Sequence, residues 1–184
     1  IFRNKAQSES LLISTPSEEY VLTVDGPWEL SFQPHRGAPE SIMLDSLMPW
    51  NEFALAGVKY FSGTATYTRN FEAPGSWFNG TEEIWIDLGE VQNIAEVTLN
   101  GKSLGIVWKK PFRVNLSSAL LEGNNELRIN VINLWVNRII GDLQPGEKNP
   151  VTYTSQQFYQ ADSPLLKSGL SGPVEIIRMI KGSD

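Results

Sequence analysis

Ala95-Glu96-Val97-Thr98-Leu99-Asn100-Gly101-Lys102 is the stretch that decides the fold. Ala95, Val97 and Leu99 alternate with Glu96, Thr98 and Asn100, the period of two that sends successive side chains to opposite faces of a half-buried strand. Asn100-Gly101 follows at once. Asn-Gly is the preferred pair for a two-residue hairpin turn because both positions tolerate positive φ. The stretch therefore predicts a strand that doubles back within an antiparallel sheet.

The same period returns in both directions from there. Ile84, Ile86 and Leu88 alternate with Glu83, Trp85 and Asp87, and Ala65, Tyr67 and Phe71 alternate with polar neighbours such as Thr66 and Asn70. Trp28, Leu30 and Phe32 follow an Asp25-Gly26-Pro27 turn, and Phe112, Val114 and Leu116, then Leu127, Ile129 and Val131, make further inward sets. The last strand is expected over Val174 to Ile180. One helical turn is expected at Ser117–Leu121, closed by Gly123 in a left-handed cap. No stretch sustains a 3.6-residue period. Short strands with turn signals between them predict a single all-β domain, an antiparallel β-sandwich or jelly roll. Its core spans about residues 20–181 in this reading, with 1–19 a flexible leader.

Two segments break the rhythm. Residues 33–58 hold Pro34, Pro39 and Pro49 beside Trp50 and are expected to wander over the surface. Residues 134–173 form one long irregular loop, almost free of strand signals and rich in Trp, Tyr, Phe, Asn and Gly. Loops of that length are uncommon in compact domains unless they bind something or are disordered. The aromatic content points to binding.

Composition narrows the chemistry. Hydrophobic residues make up 41% and charged residues 20%, enough for a core and too little charge for disorder. A net charge of −6 without a Lys/Arg-rich run argues against nucleic acid and anionic membrane surfaces as partners. The absence of cysteine removes disulfides, thiolate metal sites and a cysteine nucleophile. His35 is the only histidine, and no Gly-x-Ser-x-Gly elbow occurs, so a serine triad has no basis. No apolar run is long enough to span a membrane, and the chain opens on Ile1 with no signal peptide. It is expected to be a piece of a larger protein.

Carboxylates are plentiful, but glycoside hydrolysis needs two of them about 5–10 Å apart. Glu82 and Glu83 face opposite ways on a strand, and Glu18 and Glu19 lie in the polar leader. Asp142, Glu147 and Asp162 share the long loop and either converge there or are surface charge. No Asp-x-Asp-x-Asp pattern supports a structural calcium, and no cofactor is expected. Trp28 belongs to the core set. Trp50, Trp108 and Trp135 either stack on sugar rings or plug one end of the sandwich.

The densest constellation is Asn133-Leu134-Trp135-Val136-Asn137-Arg138-Ile139-Ile140-Gly141-Asp142. Amides and a guanidinium beside an indole are the donors and acceptors that hydroxyl recognition requires. The same residues equally describe a loop held by its own hydrogen bonds, with Arg138–Asp142 as an internal ion pair. Trp135, Asn137 and Arg138 lead the candidate sugar-binding residues, followed by Asn133, Asp142, Trp108 and Tyr153.

Several segments resemble, in order, the sugar-binding domain of glycoside hydrolase family 2. Tyr60–Tyr67 with Phe71 and Pro74 is similar to its Gly-x-Ala-x-Tyr opening, and Ala95–Lys102 with Gly105 to its Asn-Gly-x-x-x-Gly hairpin. Pro111–Asn115, Leu121–Leu127 and Ser168–Val174 resemble its later strands and turns. The wording of Asn133–Asp142 is closer to the C-terminal domain of family 106 α-L-rhamnosidase-like proteins, common in gut Bacteroidetes. The resemblance implies a galactose-binding-like jelly roll beside a catalytic domain of the same polypeptide. It implies carbohydrate as ligand and a periplasmic, secreted or cell-surface setting. Asn137 stands where some family 2 β-galactosidases carry an Asp that reaches the active site; an amide there keeps an acceptor and gains a donor but loses the charge. The expected role is binding glycan or completing a catalytic pocket. The alternatives are a purely structural domain packed on a catalytic barrel, and a free-standing hydrolase using the loop carboxylates.

Overall fold

The computed structural model describes residues 16–180. The first strands are β1 (Ser17–Thr23), β2 (Trp28–Phe32) and β3 (Ser41–Leu44), followed by a 3-10 turn at Trp50–Glu52 and the short helix α1 (Ala56–Lys59). Next come β4 (Thr64–Ala73), β5 (Glu83–Asp87), β6 (Glu90–Gln92), β7 (Ile94–Leu99) and β8 (Lys102–Val107). The chain continues through β9 (Arg113–Asn115), β10 (Gly123–Ile132), helix α2 (Val136–Asp142), β11 (Gly169–Gly172) and β12 (Glu175–Ile180).

Six strands form one sheet in the order β3-β2-β4-β10-β7-β8, and four form a second in the order β1-β12-β5-β9. β11 and β6 make a small antiparallel pair beside them. The alternation read in the sequence is what packs the two sheets. Leu30, Tyr67, Ile129 and Val97 stand opposite one another across β2, β4, β10 and β7, all fully buried. They share one apolar core with Ile86, Val114 and Ile176 of the smaller sheet. Asn100 and Gly101 take φ of 52° and 78°, so the β7–β8 hairpin turns through two left-handed residues as their chemistry predicts.

Three expectations are corrected. The segment 33–58 does not wander: it adds β3 to the sheet edge and sends Trp50 into the core, where it is 0% exposed. The Trp50 indole N–H donates to the Tyr67 hydroxyl at 2.7 Å, and its ring meets Phe61 edge-on at 5.3 Å. Elements of three or four residues carry no readable period, so the prolines dominated the sequence signal. The leader ends sooner than residue 19, because β1 begins at Ser17 and pairs with β12. Glu18 and Glu19 anchor it through ion pairs to Arg113 (2.6 Å) and Arg178 (3.1 Å). Residues 1–15, which make up most of the expected leader, lie outside the described residues. The long loop is interrupted by α2, and the turn expected at Ser117–Leu121 is one hydrogen-bonded turn in which Leu116 O accepts from Ala119 N and Leu120 N.

Candidate functional site

Registers place several chain reversals at one end of the six-stranded sheet. Ile132 pairs with Thr64 and with Ile94, and Ala95 pairs with Val107. The segment after β10, the segment before β4 and Trp108 after β8 therefore emerge together. Asn133 begins the anchoring there: its amide donates to Phe61 O at 2.9 Å, and its Oδ1 accepts from Gly63 N at 3.0 Å. Ser62, between them, donates to Leu134 O at 2.9 Å and accepts from Arg138 N at 3.2 Å.

Helix α2 turns its polar residues inward. Asn137 is buried, donates to Leu166 O at 2.8 Å and to Ser168 Oγ at 3.3 Å, and accepts from Leu166 N at 2.9 Å. The Arg138 guanidinium lies 2.7 Å from Asp142 Oδ1, one helical turn on, with both side chains almost fully enclosed. Asp142 Oδ2 accepts from Val151 N (3.0 Å), Thr152 N (2.7 Å) and the Thr152 hydroxyl (2.6 Å). Between the two sequence readings of these four residues, the geometry is that of a loop held by its own hydrogen bonds and an internal ion pair. Asn133, Asn137, Arg138 and Asp142 are frame rather than open contact surface.

What the frame holds in place is a pair of aromatics. Asp142 pins the start of the 151–154 segment against α2, and Trp135 and Tyr153 then line one cleft of about 290 Å³ with Ile139, Thr152 and Thr154. Tyr153 is 93% exposed and Trp135 42%, so both retain ring surface that a ligand can cover. The Arg36 guanidinium sits 4.6 Å from the Trp135 ring centroid and fixes the indole from one side. Indole and phenol faces with nearby hydroxyls suit the C–H faces and hydroxyl groups of a sugar.

Trp108 is 68% exposed and does not line this cleft. Nearby, Lys110 pairs with Glu90, and that hydrogen bond holds the Glu90 carboxyl below its ordinary value. The loop acids do not form a free pair: Asp142 and Glu147 both face Arg138, at 2.7 and 3.8 Å. Among the described residues no group of three or more His, Asp or Glu gathers as a metal site. Arg36, Ser62 and Thr152 escaped the sequence reading. Only Ser62 left a signal, a small polar residue between Phe61 and Gly63 in a motif that must pack closely.

Residues 40–160 match the family described as glycosyl hydrolase 2 galactose-binding domain-like. A rhamnosidase structure from Novosphingobium sp. PP1Y is 44% identical with a TM-score of 0.87, covering 96% of this chain and 17% of that one. A Formosa agariphila protein assigned as a β-glucuronidase is 33% identical over 86% of this chain and 16% of its own length. The β-glucuronidase of Ruminococcus gnavus shares the fold at 16% identity and a TM-score of 0.59, over 91% of this chain and 29% of that one. The chain thus spans about a sixth of the first two relatives.

Proposed function

The chain belongs to the glycosyl hydrolase 2 galactose-binding domain-like family, and from that premise we propose that it is a carbohydrate-binding or pocket-completing accessory domain of a glycoside hydrolase. The parent enzyme would act on plant or host glycans in the periplasm, at the cell surface or outside the cell. The catalytic domain of the same polypeptide would be its main partner. The observation that carries the reading is the cleft between Trp135 and Tyr153, exposed aromatics on a segment that Asp142 fastens to α2. The backbone just before Tyr153 is anchored at Val151 and Thr152 before a ligand arrives, which reduces the freedom lost on binding and favours affinity.

Calorimetry of this chain against rhamnose, galactose and pectic oligosaccharides tests it. Heat of binding that disappears in Trp135→Ala and Tyr153→Ala is the expected result. Silence with every sugar removes independent binding and leaves only the pocket-completing role. That role predicts that the same substitutions, made in the full-length protein, raise KM with little change in stability.

A purely structural role is favoured by one observation, the inward turn of Asn133, Asn137, Arg138 and Asp142. Under it, Trp135→Ala in the full-length protein would lower the unfolding midpoint and leave KM untouched.

A further inference from the structure

We infer that one corner of the six-stranded sheet, where Ile94, Ile106, Trp108 and Ile132 gather, is a docking surface for the rest of the polypeptide. The occupant is an apolar segment of the catalytic domain with carboxylates at its rim, so the inference rests on the accessory-domain reading above. Ile132 stands opposite Ile94, and Ile106 stands opposite Glu96. Their chain neighbours Val131, Ala95 and Val107 pack into the core, so the isoleucines face outward. Val107 pairs with Ala95, which brings Trp108, the next residue, to the level of Ile94. All four side chains are exposed, Ile106 at 63% and Trp108 at 68%. The rest of that face suits water. Thr66, Thr68, Thr98, Arg128 and Asn130 occupy it; Thr66 donates to Asn130 at 2.8 Å, and Asn130 to Glu96 at 3.2 Å. Met43 is exposed as well, but on β3 at the opposite edge. Apolar side chains gathered at one corner of a polar sheet mark an interaction surface, and a tryptophan among them is the kind of residue that anchors one.

Length and charge identify the occupant. The chain spans about a sixth of its first two relatives, so a far larger body of the same polypeptide is at hand to cover the corner. Although the whole chain carries −6, the loop side of this corner is basic. Lys109 and Lys110 follow Trp108, and Lys167 lines a cleft of about 240 Å³ with Asn93, Leu134 and Leu166, directly beside Ile94 and Ile132. Glu90 pairs with Lys110 and feels the charge of Lys167, which leaves one carboxylate among three lysines. Glu96 lies on the sheet side. A partner with an apolar centre and Asp or Glu toward the loop side complements this arrangement. Trp135 comes next after Leu134, so a body seated on the corner brings the aromatic cleft to its own margin.

Hydroxyl-radical footprinting, read by mass spectrometry on this chain alone and on the full-length protein, tests the assignment. Oxidation of Trp108 is expected to fall roughly tenfold or more in the full-length protein, because docked anchors are shut off from water. Tyr153 should keep its reactivity. Ile94→Lys combined with Ile106→Lys should restore Trp108 oxidation there, since a charge carried into an apolar interface is costly. The same pair should leave the unfolding midpoint of this chain unchanged, because both positions already face water. Lys109→Glu with Lys167→Glu should restore part of the oxidation by repelling an acidic rim, and no change in that variant overturns the charge argument. Trp108 as reactive in the full-length protein as in this chain overturns the docking surface and leaves the accessory-domain reading standing. Protection that persists in the double-lysine variant overturns it too. Protection already present in this chain alone, growing with concentration alongside a dimer in analytical ultracentrifugation, makes a second copy the occupant and overturns the assignment to the polypeptide. Protection of Tyr153 together with Trp108 upholds the docking surface and overturns the aromatic cleft as a ligand site.

Discussion

The Tyr67 hydroxyl accepts from the Trp50 indole N–H at 2.7 Å and from Leu170 N at 3.0 Å, inside the core. Tyr67→Phe strands two buried donors at once, and is expected to cost about 2–6 kcal/mol in urea unfolding, the sum of two such penalties. Burial pushes the phenol well above its ordinary value of 10.0, against the opposing pull of the Leu170 and Trp50 hydrogen bonds. The folded state therefore keeps a proton that the unfolded chain releases. The resulting stability is fully present below about pH 10 and falls as pH rises further, by about 1.4 kcal/mol per unit from this group. Chemical denaturation between pH 9 and 11 would show the decline, and Tyr67→Phe would lack that portion of it. None of this was readable from one sequence. Trp50 and Trp108 both sit beside proline or basic residues, yet one is enclosed and the other open. Depth depends on residues far along the chain, and Trp50 is buried because Phe32, Phe61 and Tyr67 surround it.

Among the elements, what could be read followed length and locality. β7, the Asn100-Gly101 turn and β10 were legible because alternation over six or more residues and a turn with two positive φ values are local requirements. β3, β6 and β11 were not, since strands of three or four residues have no period unless their flanks extend it, as Phe112 and Leu116 do for β9, and β11 finds β6 only through long-range pairing such as Gly169 with Gln92. Helix α2 covers only seven residues, and its polar face is buried rather than solvated, which inverts the usual amphipathic cue. The candidate site shared that difficulty: its residues were found by type, but the Asp142 clamp that brings Tyr153 beside Trp135 leaves no trace in spacing. Gly141 shows how tightly α2 is seated. Glycine to alanine inside a helix ordinarily gains about 0.5–1 kcal/mol. Here the new Cβ would lie 2.5 Å from Tyr60 Cβ and 2.9 Å from the Arg138 guanidinium. Gly141→Ala is therefore expected to reverse sign and cost about 1–3 kcal/mol, checked by thermal unfolding.

At the scale of the molecule, the sandwich closes on strands from its two extremes. β1 covers one side of β12, and its Glu18 and Glu19 hold Arg113 and Arg178 across the smaller sheet. Deleting Ser17–Thr23 would uncover the β12 edge and strip both arginines of these partners. The expected result is concentration-dependent association, seen as rising light scattering, because an uncovered strand edge invites pairing with another copy. The same pairing sets how the domain responds to tension. Ser17 stands opposite Ile180 at the end of the β1–β12 ladder. A pull applied between those two points loads the ladder's rungs one after another, peeling it open instead of shearing it. A polypeptide stretched on either side of this domain would yield first at that seam, while the six-stranded sheet bearing the aromatic cleft kept its shape.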